Sequence, residues 1–183
     1  GYNLNNGGSP YLGKKFSDEY VQKLINSSPY NIKITSKFIN DESQLCKTTA
    51  KLISEGKVIG WFQGKMEFGP RALGNRSILA DPRNANMKSI INMKIKRRES
   101  FRPFAPSVLE KFQTDWFDDS FISPYMSSLA FVKEEKKKII PAITHIDGTA
   151  RLQSVNFDTN PKFASLINAF YEITNVPILL NTS

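Results

Sequence analysis

Nine residues, Lys94 to Arg102 (KIKRRESFR), carry five positive charges and one negative. Residues two apart on an extended segment share a face, so Lys96 and Arg98 are expected to converge on one anion. The rigid RPFAP that follows would bring Arg102 round to join them. A solvated face would offset such charge with acids, and Glu99 is alone. A second candidate is THIDGTARLQSV, residues 144 to 155, with His145, Asp147 and Arg151. A guanidinium that starts an apolar strand, between Ala150 and Leu152, needs a counter-charge. Asp147 or a bound phosphate would supply it. His145 is the single histidine, a residue type that serves more often in hydrogen-bonded structure than in catalysis. The chain also runs a buried strand straight into Asn181, Thr182 and Ser183. Such strand ends bind ligands in many α/β sheets, and a plain strand cap is the competing reading.

The fourth candidate is KMEFGPRALGNRSILADPRN, residues 65 to 84, which follows a strand-like VIGWFQ. Gly69 and Gly74 free the backbone to turn N–H groups toward an anion. Arg71, Arg76 and Arg83 add planar forks that match phosphate oxygens. The Walker pattern is absent, and a stiff turn with solvated arginines explains the stretch equally well. No paired carboxylates suggest a hydrolase, and no His/Cys/Asp cluster has metal-ligand spacing. Cations and hydrogen-bonding groups suit phosphoryl or nucleotidyl chemistry, where catalysis is mostly positioning and charge stabilisation.

These residues need elements to hold them. Ser17 is expected to cap a helix with Asp18 and Glu19 in its first turn and Val21, Leu24 and Ile25 inward. NIKITSKF alternates like a short strand with Ile32 and Ile34 on one face. A second helix runs from Asp41 to a C-cap glycine, Gly56, with Leu45, Thr49, Leu52 and Ile53 at helical spacing. A third starts at Asn84 or Asn86 and runs through Ile95, with Met87, Ile90, Ile91 and Ile95 inward. APSVL, LAFVK, ARLQSV and VPILLN read as further strands. Asn160 and Pro161 open a helix with the stripe Phe163, Leu166, Ile167 and Phe170. KEEKKK, residues 133 to 138, reads as a solvated hairpin or loop. Together these predict one α/β domain with a twisted, mixed sheet flanked by helices.

The 183 residues are 40% hydrophobic, enough for a packed core, and carry a net charge of +8 that favours anionic partners. No run approaches the ~20 apolar residues of a membrane span. The single cysteine, Cys46, excludes an internal disulfide framework and reads as a small buried hydrophobe.

GKMEFGPRALGNRSILADPR, KRRESFRPFAPSVL, PAITHIDGTARLQSV and VPILLNTS, in that order, closely resemble the C-terminal domain of the O-carbamoyltransferases. That family includes nodulation-factor enzymes and the tailoring enzymes of tobramycin and cephamycin pathways. The resemblance implies a YrdC-like α/β fold over residues 17–183, truncated at its C-terminal end. Residues 1–16 would then be a connector from a missing N-terminal domain. It implies that this domain condenses carbamoyl phosphate with ATP, expected with Mg2+, into carbamoyladenylate and pyrophosphate. A missing N-terminal Kae1-like domain carrying a metal would pass the carbamoyl group to a hydroxyl acceptor. By motif, Lys96, Arg102 and Arg151 are the catalytic cations, and Asn181 and Ser183 bind substrate. Arg98, Arg71 and His145 are further binding candidates. No protein-bound metal is expected in this chain, no membrane partner, and a cytoplasmic location. The rival is a YrdC-like RNA-binding module, which the basic charge permits. Against nucleic acid stand the lack of any recognised RNA-binding motif and the placement of the cations in rigid turns. A weaker third reading is a regulatory fragment that binds nucleotide without turnover.

Overall fold

The computed structural model describes residues 8–27 and 35–183. Its elements in chain order are α1 (Asp18–Asn26), α2 (Glu42–Ser54), β1 (Ile59–Phe62), β2 (Arg76–Ala80), α3 (Met87–Ile90), β3 (Ala105–Leu109), α4 (Gln113–Trp116), β4 (Ser128–Phe131), α5 (Glu134–Lys137), β5 (Thr149–Val155), α6 (Pro161–Thr174) and β6 (Ile178–Thr182). A π-helical turn, Ile91–Lys96, continues α3, and a 3-10 turn, Glu110–Phe112, leads into α4.

Among the described residues the strands form one open, mixed sheet in the order β1-β2-β6-β3-β5-β4. Only β3 and β5 run parallel; the other neighbouring pairs are antiparallel. This is an α/β fold. Three of its helices begin as their sequences direct. The Ser17 hydroxyl accepts from the Tyr20 N–H and the Asp41 carboxylate from Ser43 N–H. Asn160 accepts from Phe163 N–H, with Pro161 as the first helical residue. Gly56, just past α2, has φ of +84°, the left-handed conformation a C-terminal glycine provides.

Phe163, Leu166, Ile167 and Phe170 of α6 are wholly buried. They share one core with Cys46, Ala50 and Ile53 of α2 and with Leu79, Val108, Leu152, Leu179 and Leu180 of the sheet. Helices α2 and α6 make the most extensive helix–helix contact.

Several expectations are corrected. RSILA is not loop but β2, between β1 and β6; the surrounding glycines and prolines masked its short apolar alternation. The basic segment after α3 is not extended. Lys96 ends the π-helical turn and Arg97 is left-handed, with φ of +48°. KEEKKK contains the short helix α5 rather than a hairpin. Leu52 lies on the exposed side of α2, while Cys46 and Ala50 face the core. Ile95 is also exposed, because the π turn rotates it off the buried side. Helix α1 forms where expected, yet none of its residues is buried, and Val21 and Leu24 face outward. The strand expected around Ile32 and Ile34 lies outside the described residues. Among the described residues no helix is long and apolar enough to cross a membrane.

Candidate functional site

Strand pairing collects the polar residues of the sheet on one face. Ser107 of β3 lies opposite Gln153 of β5, Ala105 opposite Asn181 of β6, and Arg151 opposite Leu129 of β4. Because side chains alternate across a strand, Arg151, Gln153, Ser107 and Asn181 share that face. At the end of the sheet where β6 finishes and β3 and β5 begin is a cavity of about 190 Å³. Arg71, Lys96, Arg98, His145, Arg151, Asn181, Thr182 and Ser183 line it, with Phe104 and Met126 as apolar walls. Among the described residues no aspartate or glutamate lines it. Among the described residues none of the four lining arginines and lysine has an acidic partner within 4.0 Å.

The structure therefore brings together seven of the eight residues singled out above. The exception is Arg102, an exposed side chain whose Nε meets Glu99 Oε2 at 3.0 Å, outside the cavity lining. Asp147 is not the partner of Arg151. Its Oδ1 instead accepts from the Thr149 N–H at 3.0 Å and hydroxyl at 2.7 Å. These two donors hold its carboxyl below the usual range.

Asn92, which the apolar run SIINMKI hid, builds the basic segment. Wholly buried, it donates from Nδ2 to the carbonyls of Ser100 (3.1 Å) and Arg102 (2.9 Å). Its Oδ1 accepts from Arg98 Nε at 2.7 Å, and its carbonyl accepts from the Arg98 N–H. The Arg98 guanidinium also lies 5.2 Å from the Phe104 ring centre, a cation–π contact. Lys96 Nζ donates to the Ser183 carbonyl. Burial, with Arg98 close by, pushes the Lys96 ammonium below its ordinary value. Burial and the Arg102 charge do the same to Arg98. An anion entering the cavity would relieve both. The one signal for Asn92 in the sequence is a lone amide inside an apolar helical stretch.

His145 sits at the cavity wall with Nδ1 3.1 Å from Thr149 Oγ1. The Thr149 hydroxyl donates to Asp147, so its oxygen is able to accept from Nδ1–H. Burial lowers the His145 value; Asp147 opposes that, while Lys88 and Arg151 add to it.

The loop read equally as a stiff turn or as a cradle for an external anion wraps its own Glu67. Glu67 Oε1 accepts from the N–H groups of Leu73 (2.7 Å), Asn75 (2.7 Å) and Arg76 (3.2 Å). Gly74 sits inside this wrap with φ of +102°, and a Cβ there would lie 2.2 Å from the Phe163 ring. Of the three loop arginines only Arg71 reaches the cavity. Arg83 forks onto Asp81, with Nη2 to Oδ2 at 2.6 Å, and Arg76 opens β2 with its side chain exposed.

The polar network behind Asn181 completes the site. Its Nδ2 donates to Ala72 O (3.1 Å), Ser107 Oγ (3.0 Å) and Gln153 Oε1 (3.1 Å). Asn181 is 1% exposed, and its Oδ1 has no partner among the described residues. Among the described residues no three His, Cys, Asp or Glu side chains converge as metal ligands do.

Among the described residues an acid-free cluster of cations lies at one end of a mixed α/β sheet. Residues 50–183 match the sequence profile of the family described as Carbamoyltransferase C-terminus, and the chain belongs to that family. It is 51% identical to nodulation protein NolO of Bradyrhizobium diazoefficiens over 79% of this chain. It is 54% identical to nodulation protein NolNO of Sinorhizobium fredii over 73%. With the 3'-hydroxymethylcephem-O-carbamoyltransferase of Amycolatopsis lactamdurans it shares 40% identity over 72%. The matched regions span only 27%, 20% and 25% of those proteins' own lengths.

Proposed function

We propose that this chain is the adenylate-forming part of an O-carbamoyltransferase, binding carbamoyl phosphate and ATP in the cavity. One observation carries the reading. Four cations without acidic partners line the same cavity as a buried acceptor, Asn181 Oδ1, that nothing among the described residues satisfies. Cations call for an anion, and a buried oxygen left without a hydrogen costs about 1–3 kcal/mol. Carbamoyl phosphate brings both a dianionic phosphate and an N–H donor. Membership in the family and the cephem carbamoyltransferase relative support the transferase reading.

Water first takes the phosphoryl group of carbamoyl phosphate, giving inorganic phosphate and carbamate. A carbamate oxygen then attacks the α-phosphorus of ATP, and the bond to the β-phosphate oxygen breaks to release pyrophosphate. Two anions in one recess repel strongly at low effective dielectric. Lys96, Arg98 and Arg151 offset that repulsion, and Arg71 extends the positive wall toward the rim. Asn181 Oδ1 accepts from the carbamoyl nitrogen, and Ser183 orients phosphate oxygens. A cavity of about 190 Å³ suits the phosphate-sized groups, with the nucleoside extending outward. Magnesium enters with the nucleotide, since the lining offers it no carboxylate. The carbamoyl group then passes to a hydroxyl acceptor on a Kae1-like domain of the full protein, in the cytoplasm.

The test is carbamoyl-phosphate-dependent exchange of labelled pyrophosphate into ATP. Lys96→Ala and Arg151→Ala are expected to lower it roughly 10²-fold or more, as removal of one charge-stabilising donor does. Arg102→Ala, exposed and already paired, should lower it less than tenfold. Equal exchange in wild type and Lys96→Ala would overturn the assignment.

A further inference from the structure

Gln153 and Ser107 do not line the cavity, and they are 2% and 0% exposed. Together they decide which atom of Asn181 the cavity meets. The chain of bonds has a single consistent direction. Gln153 Nε2 lies 2.9 Å from the Leu73 carbonyl, which can only accept, so that atom is the nitrogen and Oε1 turns inward. Oε1 then accepts from the Ser107 hydroxyl, Oγ to Oε1 2.5 Å. With its proton committed, Ser107 Oγ can only accept from Asn181 Nδ2. Ala72 O, also acceptor-only, receives the same Nδ2. Asn181 therefore cannot flip, and its oxygen is left as a fixed acceptor.

We infer that Gln153, accepting directly from Asn181 Nδ2 and also fixing the Ser107 hydroxyl, is a specificity-determining positioning residue: it holds Asn181 so that the cavity selects an acyl phosphate bearing –NH2 over one bearing –CH3. This rests on the carbamoyl phosphate reading above. Acetyl phosphate has the same phosphate and nearly the same shape, but its methyl would leave Asn181 Oδ1 buried and unpaired. A site built to hydrogen-bond a substrate group rejects the analogue that lacks it. The cations, by contrast, treat the two phosphates alike. Without the Gln153 acceptor the Ser107 hydroxyl is free to donate, and Ala72 O alone of the three acceptors still requires Asn181 Nδ2, so the amide is held less firmly with its oxygen toward the ligand.

Calorimetric titration of the whole chain with freshly dissolved carbamoyl phosphate, acetyl phosphate and inorganic phosphate tests this. Wild type is expected to bind carbamoyl phosphate at least about tenfold more tightly than acetyl phosphate, from one unpaired buried acceptor. In Gln153→Met, close in length but without the amide, the ratio should fall to about twofold or less while the affinity for inorganic phosphate is unchanged. Gln153→Ser, smaller and polar, is the second variant should the first not fold, with the same expected loss of ratio. Gln153→Glu keeps an oxygen for Ser107 and Asn181 and, in its protonated form, a donor for Leu73 O, so at a pH low enough to protonate it the preference should be preserved. A wild type that binds both acyl phosphates equally, or a Gln153→Met ratio like that of wild type, overturns the inference and leaves the carbamoyl phosphate reading standing. Phosphate binding without carbamoyl phosphate binding overturns the reading and the inference together.

Discussion

At the residue scale, the site's distinguishing property is what its charges lack. Arg71, Lys96, Arg98 and Arg151 share a cavity with no carboxylate to answer them. Burial depresses Lys96 and Arg98, so the free site carries an electrostatic cost that an anion removes. His145, lowered chiefly by burial and further by Lys88 and Arg151, is a reporter beside that site. Its folded value lies below the ordinary 6.5, so the folded chain binds the proton more weakly than the unfolded chain does. The stability contributed by the neutral ring is complete above about 6.5 and drains away as pH falls through the lowered folded value. Because the chain has one histidine, a single imidazole resonance follows it in an NMR titration. The midpoint is expected below 6.5 in the free protein and should rise when phosphate occupies the cavity. A midpoint at or above 6.5, or one that phosphate does not move, would contradict this electrostatic picture.

At the element scale, the loop between β1 and β2 is a wall built around an internal anion. Glu67 gathers three backbone N–H groups, and that fixes the Ala72 and Leu73 carbonyls over the Asn181–Ser107–Gln153 network. Close packing of Gly74 on Phe163 pins the same loop to α6. Gly74→Ala must adopt a disfavoured φ and displace a buried ring, so it should cost about 3 kcal/mol in urea unfolding. A loss under about 1 kcal/mol would show that the loop yields easily. Much of this was legible in advance. The glycines, the Asn160–Pro161 start and the α6 stripe read correctly because each is a local signal. What the loop encloses was not, since a nest for an outside phosphate and a nest for Glu67 present the same glycines. Arg102 stands apart for a related reason: the π turn and left-handed Arg97 place Lys96 and Arg98 in the cavity lining and leave Arg102 beside Glu99.

At the scale of the whole molecule, a net charge of +8 is compatible with nucleic acid or with small anions. The arrangement separates them. The site cations line one recess shared with a buried acceptor, which suits a compact ligand better than a polymer tracked along its backbone. Helix α1 shows how far the chain's own packing explains its sequence. Its capping is complete, yet Val21 and Leu24 remain exposed, so periodicity alone could not say what the apolar side meets. In the proposed reading the recess binds carbamoyl phosphate and ATP. A thermal-shift titration of the chain with ATP, carbamoyl phosphate and both tests it most directly. Each ligand should raise Tm, as anything that binds only the folded state does, both together should raise it further, and Arg151→Ala should blunt the response. A transition that neither ligand moves, with stabilisation by RNA that fades steeply as salt rises, would contradict it.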